Sequence, residues 1–156
     1  TVQVNYDAGS FIKLDGARFD LVQFHYHAPG EHKVDGKSFA AELHLVHKSL
    51  DGYLAVVGIL LEEGAENPAL KSFTDNLPGQ KSEETKLDVE IDAGQLLPAE
   101  LVTYRYSGSL TTPPCSEGVR WTVRERPMKA SFKQLQRLVA VLGESARPVQ
   151  PIYDRH

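Results

Sequence analysis

Two stretches decide the fold of this chain: residues 21–27, Leu-Val-Gln-Phe-His-Tyr-His, and residues 40–47, Ala-Ala-Glu-Leu-His-Leu-Val-His. Residues two apart in a β-strand point to the same face of a sheet. His25 and His27 therefore share one face of the first run. If the two runs pair as a hairpin, His44 of the second run joins them, and three imidazoles converge on one point. This pattern predicts a metal centre built on two neighbouring strands.

Two polar side chains are placed to orient these imidazoles. Gln23 lies two residues before His25, and Glu42 lies two residues before His44. A ligating imidazole usually donates its second ring N–H to a carboxylate, a carbonyl or water. We therefore expect Gln23 to accept a hydrogen bond from His25, and Glu42 to accept one from His44. The sequence assigns no role at the site to His32, and His47 is expected to be structural because it lies on the opposite strand face.

Three neutral histidines suit a catalytic zinc ion, which takes three protein ligands and leaves the fourth position to water or substrate. Uncharged ligands leave the positive charge of the metal undiminished, so that the pKa of the bound water can fall far below its bulk value, to about 7. A His-x-His pair alone is weak support for a metal. A buried hydrogen-bond network without metal is the alternative interpretation for Gln23 and Glu42.

The composition is that of one soluble globular domain. The chain has 156 residues, of which 41% are hydrophobic and 24% charged, and this length can bury a sizeable core. A formal charge of −4 argues against nucleic acid as a partner. No run of residues is apolar enough to cross a membrane. Cys115 is the only cysteine, so no disulfide can close within these residues.

The pattern of the chain predicts a mostly β (α+β) single domain, built on a large twisted, mainly antiparallel sheet with a few short peripheral helices. Strands are expected at 1–6, 11–14, 18–27, 38–47, 53–61, 87–91, 104–106 and 119–126. In the third of these, strict alternation places Leu21 on the face of the histidines and Val22 with Phe24 and Tyr26. Helices are expected at 68–77 and from 132 to 142, the second opened by a capping box at 131–134 and ended by a glycine.

Four motifs together resemble those of the α-class carbonic anhydrases of bacterial type. They are Gln23-Phe24-His25-Tyr26-His27, Glu31-His32, Ala41-Glu42-Leu43-His44-Leu45-Val46-His47 and Ser107-Gly108-Ser109-Leu110-Thr111-Thr112-Pro113-Pro114. The resemblance covers essentially the whole chain. It implies the reversible hydration of carbon dioxide to bicarbonate and a proton, by attack of zinc-bound hydroxide on CO2 held in a hydrophobic pocket. It also implies weak ester hydrolysis and inhibition by sulfonamides.

The resemblance implies roles residue by residue. His25, His27 and His44 match the zinc ligands. Thr111 matches the residue that accepts a hydrogen bond from zinc hydroxide and donates its own proton to Glu31. A hydroxyl has one donor, so Thr111 could then only accept from the hydroxide. The expected substrate-binding residues are Val46, Val56, Leu110, Thr112, Val119 and Trp121, with Thr112 at the mouth of the pocket.

Two family features are missing from these residues. The family's proton-shuttling histidine would fall before Thr1, so no shuttle is expected in this chain. Cys115 matches a cysteine that usually pairs with one near the N-terminus. We therefore expect residues 1–156 to form one domain that lacks its N-terminal portion. The resemblance also implies a periplasmic or secreted location and leaves room for a homodimer.

Two alternatives remain open at the level of sequence. The spacing of His25, His27 and Glu31 fits the start of a cupin metal motif, which would indicate iron or manganese oxygen chemistry. The other alternative is an inactive fragment or binding module on the anhydrase fold. Loss of a zinc histidine would indicate such a module, and all three histidines are present.

Overall fold

The computed structural model describes residues 2–77, 92–97 and 102–155. Its strands are β1 (Val2–Asn5), β2 (Phe11–Leu14), β3 (Ala17–His27), β4 (Ala41–Lys48), β5 (Leu54–Glu63), β6 (Thr103–Ser109), β7 (Glu117–Arg124) and β8 (Met128–Ala130). Its helices are α1 (Pro68–Asp75), the 3-10 helix Ala93–Leu96 and α2 (Phe132–Leu142). The strand predicted at 87–91 lies outside the described residues. The mostly β fold predicted from the sequence is confirmed.

The strands of the described residues form one eight-stranded sheet. The order along it is β1-β3-β4-β5-β7-β6, with β2 paired to β3 and β8 paired to β5. Two pairings are parallel, β5 with β7 and β5 with β8, and the others are antiparallel. The sequence does not predict β8, because its three residues are too few to show alternation.

The hairpin predicted from the two histidine runs is present as β3 and β4. In its register His25 lies opposite His44, and His27 lies opposite Glu42. Directly opposed residues of an antiparallel pair project from the same face, with Cβ atoms about 4.5–5.5 Å apart. On the far side of β4, Gly58 of β5 lies opposite His44. The pairing therefore brings the imidazoles of both strands to one face of the sheet.

A bulge at Val22 corrects the alternation expected for β3. The pairing with β4 passes from Leu21 opposite His47 directly to Gln23 opposite Val46. The extra residue reverses the alternation at this point. Leu21 therefore packs with Phe24 and Tyr26, away from the histidines, and not on their face as predicted. Val22, expected inside with those aromatic residues, is 42% exposed.

Two apolar clusters lie on the two faces of the sheet. The larger one includes Phe24 and Tyr26 of β3 and is covered by the helices, through Phe73 of α1 and Leu135 and Leu138 of α2. The smaller cluster lies on the face of the histidines. Its buried members are Phe39, Val46, Val56, Leu60, Val119, Trp121 and Val123. The helical face thus carries most of the core, and the opposite face carries the site.

The predicted capping box of α2 is present and also ties the two helices together. Ser131 Oγ accepts from Gln134 N at 3.3 Å, and Gln134 Oε1 accepts from Ser131 N at 3.0 Å. The Gln134 amide also bonds both backbone groups of Asn67, whose side chain caps α1. These bonds satisfy N-terminal amides that a helix leaves unpaired. Neither these helices nor the short 3-10 turn in the described ranges has the length and apolar character to cross a bilayer.

Candidate metal centre

Three histidine rings converge on the face of the β3–β4 hairpin that carries the smaller apolar cluster. Their centroids lie 5.0 Å apart for His25 and His27, 5.2 Å for His25 and His44, and 4.8 Å for His27 and His44. One ring nitrogen from each residue lies within 4.8 Å of the other two. His27 and His44 are buried, and His25 is partly open. The structure therefore brings together the three ligands that the spacing predicted.

The hydrogen bonds expected for two of these rings are present. His25 Nδ1 lies 2.8 Å from Gln23 Oε1, and His44 Nε2 lies 2.9 Å from Glu42 Oε1. Both acceptors are oxygens, so each of these ring nitrogens carries the hydrogen. The remaining nitrogen, Nε2 of His25 and Nδ1 of His44, then has its lone pair directed to the shared centre.

The third ring is oriented by a backbone group that the sequence does not reveal. His27 Nδ1 lies 3.1 Å from the carbonyl oxygen of Ser145. Ser145 is itself tied to the end of β3, where its N–H donates to Ala28 O and its Oγ accepts from Ala28 N. Any residue at position 145 offers a carbonyl, so no side-chain pattern could have identified this contact.

The donor set fits a divalent zinc ion. His27 Nε2 is buried and has no hydrogen-bond partner among the described residues, which is costly unless something binds there. Burial, then the neighbouring His44 and His27, lower the pKa of His25 to about 3. Burial likewise lowers the pKa of His27. Both rings are therefore neutral near pH 7, the state in which an imidazole binds a metal.

Glu42 receives four hydrogen bonds and is fully buried. Its Oε1 accepts from His44 Nε2 and from His32 Nδ1 at 2.5 Å, and its Oε2 accepts from the backbone N–H groups of Glu31 and His32, both at 2.8 Å. Burial alone would raise the pKa of the Glu42 carboxyl, but His44 and these bonds outweigh it and hold the pKa well below its usual range. Glu42 is therefore a carboxylate with its acceptor sites filled.

His32 belongs to the centre, a role that its position in the sequence does not indicate. Its ring bridges Glu42 and Tyr106, with Nε2 2.6 Å from the Tyr106 hydroxyl. Tyr106 lies on β6, far along the chain, and was also missed. The signal for His32 was its place directly after Glu31, but a loop position carries no alternation from which its direction can be inferred.

Glu31 lies beside the ligands, at the edge of the centre. Its Oε1 accepts from the backbone N–H of Arg147 at 2.7 Å, and its Oε2 lies 4.0 Å from His44 Nδ1. Oε2 is buried and has no hydrogen-bond partner among the described residues. The structure thus shows no bond from Thr111 to this oxygen, and the pairing implied by the resemblance stays a prediction. Thr111 itself is half-buried in the loop after β6.

An apolar wall stands next to the imidazoles. Five of the six predicted substrate-binding residues, Val46, Val56, Leu110, Val119 and Trp121, belong to the smaller cluster. The Trp121 ring contacts His44 edge-on at a centroid distance of 4.8 Å. Thr112 is the exception, because it is exposed and its carbonyl accepts from Cys115 N in a turn. The chain has thus gathered an apolar surface against the metal-binding face.

Two glycines leave room for this arrangement. A Cβ on Gly58 would lie 3.0 Å from Glu42 Oε1, and a Cβ on Gly108 would lie 2.7 Å from the Tyr106 ring and 2.9 Å from Trp121. Neither glycine has a positive φ. Each is therefore explained by the lack of space for a side chain and not by its backbone conformation. The carboxylate and the aromatic pair occupy volume that a side chain would otherwise fill.

Comparison with known proteins identifies the family. A family model described as eukaryotic-type carbonic anhydrase matches residues 1–156. Carbonic anhydrase from Nostoc sp. is 49% identical over 156 residues, which cover 99% of this chain and 59% of the relative. Carbonic anhydrase from Pectobacterium carotovorum is 44% identical over 158 residues, which cover 99% of this chain and 64% of the relative. The chain therefore spans about 60% of the length of these curated relatives.

A solved structure gives the same answer. The α-carbonic anhydrase from Thermovibrio ammonificans, solved in complex with the inhibitor sulfanilamide, superimposes with a TM-score of 0.95 at 44% identity, covering 98% of this chain and 68% of that one. The cupin alternative is wrong, because the family model covers every residue and because the converging group comprises three histidines without Glu31. The chain belongs to the eukaryotic-type carbonic anhydrase family, the α class.

Proposed function

We propose that the protein containing this chain catalyses the reversible hydration of carbon dioxide to bicarbonate and a proton, with zinc as its cofactor. One observation carries the proposal. Three imidazoles, each with one nitrogen held by a hydrogen bond, direct their other nitrogens to a common centre beside an apolar wall. Family membership supports the same reaction.

The histidines hold the ion, and their surroundings keep them ready to do so. Bound zinc supplies a Lewis acid that lowers the pKa of a coordinated water toward neutrality. Because burial lowers the pKa of both His25 and His27, these two rings need no deprotonation before they bind a metal near pH 7. Gln23 and Glu42 hold the rings of His25 and His44 in the ligating orientation.

The apolar wall suits a small nonpolar substrate. CO2 carries no net charge, so a positively charged side chain would add little to its binding. An apolar surface beside the nucleophile binds it through the hydrophobic effect. Val119 and Trp121 are almost fully buried and pack with Val46 and Val56 on this face. We assign these residues, with Leu110, to the CO2 pocket, and Thr112 to its mouth.

Thr111 and Glu31 orient the attacking oxygen in this proposal. The buried Oε2 of Glu31 accepts no hydrogen bond from the part of the chain that the structure describes. If the Thr111 hydroxyl donates its one hydrogen there, its oxygen can only accept from the nucleophile. This hydrogen bond would direct a lone pair of the attacking oxygen toward CO2, and such orientation of reacting groups is a common source of catalysis.

A stopped-flow CO2 hydration assay tests the proposal on the full-length protein. We expect zinc near one equivalent in the parent, loss of zinc and activity in His44→Ala, and about 100-fold slower hydration with zinc retained in Thr111→Ala. Equal rates in the parent and in His44→Ala would contradict catalysis at this centre. A zinc-loaded but inactive parent would instead favour a binding module on the same fold.

We also propose sulfonamide-sensitive activity, weak ester hydrolysis, a periplasmic or secreted location in a bacterium, and a homodimer. Sulfonamide binding and ester hydrolysis both require a fourth zinc position, which three histidine ligands would leave free. Location is supported only by Cys115 and its likeness to a family cysteine that pairs. Thiol labelling of Cys115 in the native full-length protein tests that pairing, and sedimentation tests the dimer. Complete labelling of Cys115 without reductant would contradict the disulfide. A monomer at all protein concentrations would contradict the dimer.

A further inference from the structure

A line of hydrogen-bonded side chains leads from the metal ligand His44 across the site to strand β6. His44 Nε2 bonds Glu42 Oε1 at 2.9 Å, and His32 Nδ1 bonds the same oxygen at 2.5 Å. The other nitrogen of His32 lies 2.6 Å from the hydroxyl of Tyr106. The line therefore connects a ligand on β4 to a phenol on β6.

The direction of each hydrogen in this line is determined by Glu42. Its Oε2 accepts from the backbone N–H groups of Glu31 and His32, and a backbone amide cannot reverse its role. With Oε2 occupied by these two amides, Oε1 lies within hydrogen-bond distance of His32 Nδ1 and His44 Nε2, and a carboxylate oxygen accepts the hydrogens of both rings. The lone pair of His44 then resides on Nδ1, the nitrogen that faces the shared centre.

Tyr106 completes the line by determining the state of His32. A neutral imidazole carries one N–H, so with its hydrogen on Nδ1 the His32 ring must accept at Nε2. Tyr106 is the donor at that position. Burial, and then the charge of Glu42, raise the pKa of Tyr106, so the phenol keeps its hydrogen.

Trp121 holds the rings of this line in place. It stacks on Tyr106 with a centroid distance of 6.1 Å and an interplanar angle of 8°, and it meets His32 edge-on at 4.9 Å. Gly108 leaves the space for this stack. Because both rings are packed, neither His32 nor Tyr106 can rotate away without disturbing the wall of the pocket.

We propose that His32 and Tyr106 are positioning residues of the metal centre, which act through Glu42 to keep the hydrogen of His44 on Nε2 and its Nδ1 free for the ion. This inference rests on the metal-binding part of the proposed function and not on CO2 hydration. It predicts that a change at Tyr106, whose hydroxyl is joined to His44 by hydrogen bonds through His32 and Glu42, weakens metal retention.

The first test is the rate of zinc release to an excess of chelator from the full-length, zinc-loaded protein. We expect release about 10- to 100-fold faster in His32→Leu, in line with other changes behind metal ligands, and a smaller acceleration in Tyr106→Phe. His32→Asn keeps an N–H near the position of Nδ1 and should restore most of the slow release. Tyr104→Phe is the matched control, because Tyr104 lies on the same strand but is exposed and bonds Glu125.

A second measurement separates positioning from general support of the fold. Nitrogen-15 NMR of the zinc-loaded protein should show His44 with its hydrogen on Nε2, and Tyr106→Phe should make this hydrogen exchange faster with water. Thermal unfolding with and without zinc should show that Tyr106→Phe reduces the gain in melting temperature on zinc binding. A purely structural role would lower both melting temperatures equally and leave the gain unchanged.

The outcomes of these tests are distinct. Equal zinc release from His32→Leu, Tyr106→Phe and Tyr104→Phe overturns this inference and leaves the proposed function untouched. A parent that holds zinc but does not hydrate CO2 overturns the proposed function alone. A full-length parent that binds no zinc overturns both. An unchanged gain in melting temperature in Tyr106→Phe also counts against positioning.

Discussion

His44 differs from the other two ligands in the nitrogen that it presents. His25 and His27 are held at Nδ1 and offer Nε2, whereas His44 is held at Nε2 and offers Nδ1. Gln23 and Glu42 each lie two residues before a ligand, but Gln23 bonds Nδ1 of His25 whereas Glu42 bonds Nε2 of His44. The spacing therefore places each acceptor on the face of its ligand, and the orientation of the ring decides which nitrogen is held.

The side chains at this site could be predicted, but its backbone contacts could not. Strand alternation and the family motifs identify the three ligands and both side-chain acceptors behind them. Ser145 acts through its backbone carbonyl and Arg147 through its backbone N–H. Every residue provides a carbonyl and every residue except proline provides an N–H, so the sequence does not reveal these contacts. His32 lies in a loop, where neighbours in sequence do not indicate direction.

Gly58→Ala should weaken zinc binding through Glu42. The new Cβ would lie 3.0 Å from Glu42 Oε1, and the carboxylate cannot shift without weakening the hydrogen bonds that it accepts. We expect about tenfold weaker zinc affinity, measured by competition with a chelating dye. Val57→Ala is the control, since Val57 points into the larger cluster and should lower stability without changing zinc affinity. Unchanged affinity in Gly58→Ala would show that Glu42 has room to move.

His47 should make the stability of the metal-free protein depend on pH. Burial, opposed by hydrogen bonds with Leu45 and Ala55 and by Asp20, lowers its pKa from 6.5 to about 4. Between these values the unfolded chain binds a proton that the folded chain does not, so stability falls as the pH drops from 6.5 to 4, by about 3 kcal/mol in all. Above pH 6.5 this residue contributes no pH dependence.

Urea unfolding of the parent and of His47→Leu, at several pH values in this range, measures the effect. Other histidines titrate in both proteins, so the difference between the two curves isolates His47. We expect the stability of the variant relative to the parent to improve steadily as the pH falls. Parallel curves would mean that His47 titrates normally in the folded protein.

At the scale of elements, the bulge in β3 decides which residues face the ion. It reverses the alternation at Val22, so an apolar run that begins on one face ends with its histidines on the other. The strand can be predicted from the sequence but its bulge cannot, because both faces of this strand are apolar and either alternation fits the pattern. The α2 boundaries, by contrast, were predictable because Ser131, Gln134 and Gly143 mark them chemically.

Deletion of Val22 should abolish metal binding. Without the extra residue, one half of β3 must shift by one position and expose its core side chains or turn its histidines inward. We expect a large loss of stability and no zinc uptake, measured by thermal unfolding and metal analysis. Val22→Thr keeps the residue count at an exposed position, and its stability should stay within about 0.5 kcal/mol of the parent. A deletion variant that still binds zinc would show that the bulge is dispensable.

At the scale of the whole molecule, the metal ligands and the pocket wall come from different parts of the chain. All three ligands lie on β3 and β4, whereas Val56 and Val119 lie on β5 and β7. The parallel pairing of β5 with β7 joins these parts, with Val56 opposite Trp121. Such long-range pairing is not visible in local patterns, and the wall was therefore found through the resemblance and not through alternation.

This separation predicts that substrate use and metal binding can be lost independently. Val119→Phe adds bulk to a buried wall position on β7 and should slow CO2 hydration by about tenfold or more, at a stability cost of about 1–3 kcal/mol. Zinc content and release should match those of the parent, unlike in His44→Ala. A Val119→Phe protein that loses zinc would show that the wall and the ligands are not separable.

The compactness of the hairpin in sequence also bears on the order in which the molecule is assembled. Only nineteen positions separate the first ligand, His25, from the last, His44, and short-range contacts form sooner than distant ones because less chain entropy must be lost. Zinc can therefore be captured while the strands that will wall the pocket are still unpaired. An ion bound there would link β3 to β4 before β5 and β7 complete the sheet.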